Sequence, residues 1–206
     1  FVYAAATYVP SGGIIQNNTT ADALLNAANT SAVNASTSYG NLSPNISLGN
    51  VTTNQTINRV SNITVVQINS LDYNSNTITL VGLSGQDDAF IINVIGDFDF
   101  SQSTVLLTNV RPERVVWNFQ NASNILINKA STIFKGTILA PIGSVIYHNP
   151  ASFEGAIIAK NIAVHSDFNL TQKSLDIPCL SSNAINLGNL VWNDINNNGI
   201  KDAIEP

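Results

Sequence analysis

The chain reads Phe134-Lys-Gly-Thr-Ile-Leu-Ala-Pro141 and, roughly 19 residues later, Phe153-Glu-Gly-Ala-Ile-Ile-Ala-Lys160. Each copy begins with Phe-x-Gly and continues into an apolar run that is typical of a buried strand. At this offset Val145 falls on Val164, and the earlier block Trp117-Asn-Phe119 fits the same spacing loosely. A period near 20 residues suits one coil of a β-solenoid, where each coil buries its inward face on its neighbour. Two similar hairpins of a β-sandwich are the alternative, and the periodicity favours the solenoid.

The sequence on the N-terminal side of this repeat predicts further strands and one helix. Short apolar runs between polar turns fill about residues 50–170, with no helix-length periodic segment between them. Before them, apolar residues recur at intervals of three and four, which predicts one helix over about residues 20–42. Because its apolar stripe is mostly alanine, we expect this helix to lie close against a sheet. The predicted fold is therefore mainly β: a β-solenoid with one long helix packed alongside.

Three short motifs, in order, resemble the choice-of-anchor A domain family. The block beginning at Trp117 resembles its W/F-N-F-x-N-A motif, and the two Phe-x-Gly copies resemble its F-x-G-S-I-L-A-P and G-x-I-I-A-K motifs. The likeness covers about residues 113–168, and a more distant one extends to ice-binding β-solenoids that pack one long helix along their coils. The resemblance implies a secreted or surface-displayed, adhesin-like module and carries over no catalytic residue.

The end of the chain has the spacing of an EF-hand calcium loop. Oxygen donors fall at loop positions 1, 3, 5, 9 and 12, a glycine at position 6, and a backbone carbonyl serves position 7. An Asn/Asp/Gly-rich surface turn is the alternative. The predicted calcium ligands are Asp194, Asn196, Asn198, Ile200, Asp202 and Glu205.

The flank of this loop predicts a β module, because residues 187–192 alternate like a strand and do not form an entering helix. Residues 187–206 resemble the opening of the calcium-stiffened B-type modules of serine-aspartate-repeat surface adhesins. We therefore expect a choice-of-anchor-A-like domain over 1–180, a linker over 181–186 and the start of a truncated B-type module over 187–206. This organisation predicts that the sequence is a fragment of a longer protein.

The composition indicates an extracellular protein. Only 10% of the residues are charged, against an average near 25%, while 44% are hydrophobic, which suffices for a core. The net charge of -5 gives no basic stripe for nucleic acid. No apolar run approaches the length of a membrane span. The sequence has no initiator Met and opens with Phe-Val-Tyr-Ala-Ala-Ala, so we expect that a leader has been removed or that the sequence has been trimmed.

The Asn-x-Ser/Thr sequon recurs along the chain, and glycan attachment would require a secretory route. An Asn- and Thr-rich composition that generates sequons by chance is the alternative. The single cysteine, Cys179, is either a small buried apolar residue or the partner of a missing one. The glycosylation candidates are Asn18, Asn29, Asn34, Asn41, Asn45, Asn50, Asn54, Asn62, Asn121 and Asn169.

Few residues suggest catalysis or a second metal site. Asp97 and Asp99 alternate, so on a strand they would share one face, and two carboxylates across a sugar can act as acid and base. A polar turn is the favoured interpretation, as it is for Asp87-Asp88. His148 and His165 could stack on neighbouring coils, but two histidines are a weak metal signal.

Ice binding is a further alternative. It would need a regular ladder of small residues, and at the coil period Thr137 has Ala156 as its partner, so that ladder is broken. The sequence thus predicts a non-enzymatic extracellular module, structural or adhesive, with ice binding or a carbohydrate-binding or polysaccharide-cleaving solenoid as alternatives. The expected partners are copies of itself, other surface proteins or extracellular glycan and matrix, without nucleic acid or a membrane span. The expected cofactor is calcium.

Overall fold

A computed structural model describes residues 19–85, 87–121, 124–148, 152–165 and 169–177. Its elements are the helix α1 (Thr19–Gly40), a 3-10 helix (Pro112–Arg114) and the strands β1 (Ile46–Val51), β2 (Gln55–Asn58), β3 (Ile63–Asn74), β4 (Thr77–Val81), β5 (Ala89–Val94), β6 (Phe98–Ser101), β7 (Thr104–Thr108), β8 (Val115–Phe119), β9 (Asn124–Asn128), β10 (Ile133–Lys135), β11 (Thr137–His148), β12 (Ser152–Gly155), β13 (Ile157–Val164) and β14 (Asn169–Gln172).

The strands wind into a parallel β-solenoid of about five coils. This confirms the β-solenoid that the sequence predicts. One sheet has the order β1-β3-β5-β8-β11-β9-β6, with β13 on β11, and the other has the order β14-β12-β10-β7-β4-β2. Because β3 changes its partner from β5 to β6 and β11 changes its partner from β8 to β9, the first sheet supplies two faces and the second supplies one.

We name these faces by what lies on them. The covered face consists of β1, β5, β8 and residues 63–68, 137–140 and 157–159. The polar face consists of β6, β9 and residues 71–74, 144–148 and 161–164. The threonine face consists of β2, β4, β7, β10, β12 and β14.

The predicted repeat is confirmed where the two copies lie, because Phe134 pairs with Phe153. Earlier coils are longer, however: Thr77 pairs with Thr104, a step of roughly 27 residues. A β-bulge between Ala140 and Ser144 shifts the register further on. Val145 therefore pairs with Ile162, so the predicted Val145–Val164 alignment is wrong.

The Phe-x-Gly motif works through both of its residues. The rings of Phe134 and Phe153 stack in the core with centroids 5.3 Å apart. A Cβ at Gly155 would lie 2.0 Å from the carbonyl oxygen of Gly136, so the two glycines allow adjacent coils to approach closely at this corner. The sequence repeat thus marks a packing requirement.

Helix α1 lies against the covered face, as its alanine stripe predicts. Its bounds, Thr19–Gly40, agree with the predicted 20–42 to within two residues. Ala32, Ala35 and Tyr39 pack against outward apolar side chains of the sheet, which are Val65, Ile91, Val116 and Leu139. Small helix side chains let the backbone approach the sheet, so this face is withdrawn from solvent. Among the described residues, no helix is long and apolar enough to cross a membrane.

Candidate binding faces

A buried polar cluster fixes the helix to the covered face. Nδ2 of Asn118 donates to the carbonyl oxygen of Ser36 (2.9 Å) and to Oδ1 of Asn93 (2.7 Å). Oγ of Ser36 donates to Oδ1 of Asn118 (2.6 Å), and Nδ2 of Asn93 donates to the carbonyl oxygen of Tyr39 (2.9 Å). Buried amides require such partners, so this cluster aligns the helix on the sheet. The asparagine of the Trp117-Asn-Phe119 block is therefore structural, a role that its motif alone did not reveal.

The polar face carries rows of hydrogen-bonding side chains that are exposed or half-buried, apart from the buried Ser101. Parallel, in-register strands place row members about 4.8 Å apart on successive coils. Two of these rows are almost wholly polar, whereas the row between them becomes apolar toward the C-terminal coils. The polar rows are Asp97, Asn124, Ser144 and Asn161, and Asn74, Ser101, Asn128, His148 and His165.

A cleft of about 450 Å³ opens on this face. Asp97 directly precedes β6 and Asp99 lies within it, and both side chains line this cleft on either side of the buried ring of Phe98. The carboxylate of Asp99 accepts a hydrogen bond from the hydroxyl of Ser101 (2.6 Å). Ser70, Asp72 and Asn124 complete the polar lining, and Leu126 adds an apolar wall. The cleft thus offers carboxylate acceptors and one amide to a polar ligand, and its described lining contains no Lys or Arg.

The threonine face carries short threonine rows that the sequence argument missed. Thr56 pairs with Thr79, and Thr77 pairs with Thr104. The array ends at the exposed Leu106, and beyond it Lys135 faces Glu154 at 3.7 Å. A period near 19 residues does not reveal these rows, because these coils are longer.

Thr137, at which the predicted ice-facing ladder is broken, does not lie on an open face. Thr137 is fully buried on the covered face, where it pairs with Val116. A break at this position therefore says nothing about the exposed rows. The threonine face has to be judged on its own residues.

The two histidines, whose spacing allowed stacking on neighbouring coils, lie side by side on the polar face. The ring centroids of His148 and His165 are 4.3 Å apart with an interplanar angle of 7°. Within the part of the chain that the structure describes, no group of three or more His, Cys, Asp and Glu side chains is placed to hold a metal.

The acidic pair Asp87-Asp88, predicted to be a turn, is partly a buried ion-pair site. Asp88 is 1% exposed, pairs with Nε of Arg59 at 2.9 Å and accepts from the backbone N–H of Leu83 at 2.7 Å. The side chain of Asp87 pairs with Arg111 and Arg114, and the hydrogen bond from Arg111 lowers the pKa of Asp87. Arg114 also reaches Asp176 at 3.2 Å, which holds the segment after β14 to the solenoid. These charges are structural.

The remaining predicted sites are accessible or lie elsewhere. Every described sequon asparagine is exposed, but the hydroxyl of Ser36, in the sequon of Asn34, is buried beneath the helix. Occupancy of the sequons stays a prediction. Asn18, Cys179 and the proposed calcium ligands Asp194, Asn196, Asn198, Ile200, Asp202 and Glu205 lie outside the described residues, so the calcium site also stays a prediction.

The fold and its faces define a class: a parallel β-solenoid with a helix along one face and two faces without it. The family model for an ice-binding-like adhesive domain matches residues 3–170, and the chain belongs to this family. The finer resemblances, to the choice-of-anchor A family and to B-type modules, stay predictions. No curated protein matches the chain significantly.

Solved structures share the fold. An ice-binding protein from the Antarctic ascomycete Antarctomyces psychrotrophicus matches with a TM-score of 0.54 and 15% identity over 72% of each chain. The ice-binding protein LeIBP from an Arctic yeast matches with a TM-score of 0.52 and 16% identity, over 82% of this chain and 69% of that chain. At such identities the likeness is one of fold.

Proposed function

We propose that this chain is a non-enzymatic, extracellular adhesive module whose polar face binds a carbohydrate-rich surface. The observation that carries this proposal is the cleft lined by Asp72, Asp97, Asp99 and Asn124, set among rows of Asn and Ser that continue along the coils. Membership of an adhesive-domain family supports a surface-binding role.

The chemistry of the polar face suits polyols. Carboxylate oxygens accept hydrogen bonds and amides both donate and accept, so together they can pair with neighbouring sugar hydroxyls. Each well-placed hydrogen bond contributes little in water, about 0.5–1.5 kcal/mol, so affinity has to come from several rows used together. Rows that recur at each coil provide that repetition for a polymer, and the low charge density limits non-specific attraction.

Binding to insoluble polysaccharides and to a glycan array tests this function. The paired variant Asp97→Ala/Asn124→Ala should bind a positive polysaccharide at least roughly tenfold more weakly, because two direct hydrogen-bonding groups are gone. The matched control is Asn58→Ala, an exposed amide on the threonine face. Saturable binding that the paired variant leaves unchanged would contradict the polar face as the site, and no saturable binding to any glycan would contradict adhesion to carbohydrate.

Absence of catalysis is part of the proposal. Incubation with any polysaccharide that binds should release no reducing sugar. Release that disappears in an Asp97→Asn variant would instead make the cleft a hydrolytic site with Asp97 as an acid or base.

Ice binding through the threonine face is the second candidate. The paired rows Thr56–Thr79 and Thr77–Thr104 favour it, because they present hydroxyl and methyl groups at a regular spacing. Partition into a growing ice front should fall in a Thr79→Glu variant and stay unchanged in Asn74→Glu, which alters the polar face. Equal partition of all three proteins with a non-binding reference would exclude this function.

The calcium loop is proposed as part of a following module. Calorimetric titration of the intact chain with calcium should show binding that Glu205→Gln removes, because position 12 supplies the bidentate carboxylate. Unchanged binding in this variant would remove the site from the proposal.

Assembly and glycosylation are proposed on the same extracellular interpretation. Intact mass spectrometry of natively secreted protein should show glycan masses, and electron microscopy should show oligomers or filaments at high concentration. An unmodified mass would contradict glycosylation, and uniform monomers would contradict assembly.

A further inference from the structure

The geometry points to a transition-metal site on the polar face, in which His148 and His165 together bind one Zn²⁺, Cu²⁺ or Ni²⁺ ion. This inference does not depend on the proposed adhesive function. It is also separate from the predicted calcium loop, because calcium prefers oxygen donors whereas imidazole nitrogen suits zinc, copper and nickel.

The two rings are already placed as a pair. Their centroids are 4.3 Å apart and their planes differ by 7°, so with both rings in one orientation the equivalent nitrogens face the same side of the stack. The backbone fixes this relation: Tyr147 pairs with Val164, and the N–H of His165 donates to the carbonyl oxygen of Tyr147 at 2.9 Å. The backbone therefore holds the two imidazoles side by side on adjacent coils.

Rotation of both rings would close the pair around a metal. With metal–nitrogen distances near 2.0–2.1 Å, two nitrogens that share one ion in tetrahedral or square geometry lie about 3–3.4 Å apart. The lone pair of an imidazole nitrogen lies in the ring plane, so each of the two parallel rings has to turn by about 45–55° for both lone pairs to point at one ion. Torsion about the side-chain bonds of the two histidines supplies this rotation. His165 is exposed and His148 is half-buried, so both side chains are accessible to an ion from solvent.

The neighbouring charges permit a cation here. The next member of the row is the neutral Asn128, whose Oδ1 accepts from the N–H of Lys129 at 2.7 Å. Nζ of Lys129 donates to Oδ1 of Asn74 at 3.1 Å, two coils away on the side opposite the histidines. This contact directs the nearest lysine charge of that corner away from the pair.

The test is a titration of the intact chain with Zn²⁺ in the presence of excess calcium, which fills oxygen-based sites. One ion should bind per chain, and His148→Gln and His165→Gln should each weaken binding by roughly tenfold or more, because the second imidazole binds intramolecularly at a high effective concentration. Asn58→Gln, on the threonine face, is the matched control and should bind as the unaltered chain does. A single-histidine variant that binds Zn²⁺ with the affinity of the unaltered chain but at a lower stoichiometry would overturn the inference. A double variant that binds Zn²⁺ as tightly as the unaltered chain would overturn it as well.

A spectroscopic measurement keeps the inference testable without substitutions. Cu²⁺ bound at one equivalent should give an electron paramagnetic resonance spectrum with two imidazole nitrogens. In parallel, Zn²⁺ should shift the imidazole resonances of both histidines together at a one-to-one ratio. A response from only one histidine, or from neither, would overturn the proposed chelate.

Discussion

The covered face and the threonine face are built from the same coils but differ in whether the helix α1 packs over them. Both consist of parallel, in-register ladders. Many outward residues of the covered face are aliphatic or belong to the Asn118 cluster, and the helix packs over them. Outward residues of the threonine face include hydroxyls, a few aliphatics and the Lys135–Glu154 pair, and no helix of the described residues covers them. The backbone thus supplies a general scaffold, and the outward side chains decide whether a face is buried or available.

The largest expected effect comes from placing a charge at matched positions of the two faces. Ile91→Asp would bury an unpaired carboxylate beneath α1 and should lower the free energy of unfolding by about 3 kcal/mol or more. Thr79→Asp, on the open face, should change it by less than about 0.5 kcal/mol. Denaturant unfolding of both variants checks this contrast, and similar losses in the two would show that the threonine face is also covered.

A smaller effect is expected from removing one amide on the covered face and one on the polar face. Asn118→Ala leaves Ser36 and Asn93 with buried groups that have lost a partner, and should cost about 2–3 kcal/mol. Asn124→Ala removes an exposed amide and should cost almost nothing. Thermal or denaturant unfolding measures both, and a loss below about 0.5 kcal/mol for Asn118→Ala would mean that the helix is held by apolar packing alone.

Alkaline pH tests the interior that both faces share. Burial raises the pKa of Tyr73 and of Tyr147 to about 12. The unfolded phenols titrate near pH 10, so their stabilising contribution is complete below about pH 10 and is lost as pH rises through about 12. Allowing for solvent screening, we expect about 1 kcal/mol from each tyrosine.

Unfolding measured across this interval, together with tyrosinate absorbance, checks the alkaline prediction. Tyr73→Phe should lose less stability than the unaltered chain between the two pH limits, because one titrating phenol is missing. Tyrosines that all ionise near pH 10 in the folded protein would contradict the burial that the solenoid implies.

The sequence was sufficient to predict the fold because its strongest repeat reports a steric requirement. Phe134 and Phe153 stack in the core, and Gly136 and Gly155 allow the coils to meet, so both positions recur at the coil period. The alanine stripe of α1 likewise reports close packing, and its bounds were predicted to within two residues. Local pattern and tertiary contact agree in both places.

The binding faces were less predictable because register depends on coil length. The rows Thr56–Thr79 and Thr77–Thr104 emerge only once the longer coils are known, and the β-bulge after Ala140 displaces later positions by two. The buried ion pair of Asp88 with Arg59 was also missed, since residues far apart in sequence form it. Such contacts are set by tertiary structure and leave no local signal.

The smallest predicted effect concerns the corner between the polar face and the threonine face. Ser75, Gln102 and Lys129 occupy this corner on successive coils, and all three have a left-handed backbone, with φ of 66°, 50° and 73°. This conformation is unfavourable for a residue with a Cβ, so Gln102→Gly should stabilise the protein by about 0.5–1 kcal/mol, even after the added freedom of the unfolded chain is counted. Gln55→Gly, within a strand, is the opposite control and should destabilise by about 0.5–1 kcal/mol. Denaturant midpoints measure both, and a loss of stability in Gln102→Gly would show that its side chain, rather than the backbone, holds the two uncovered faces at their angle.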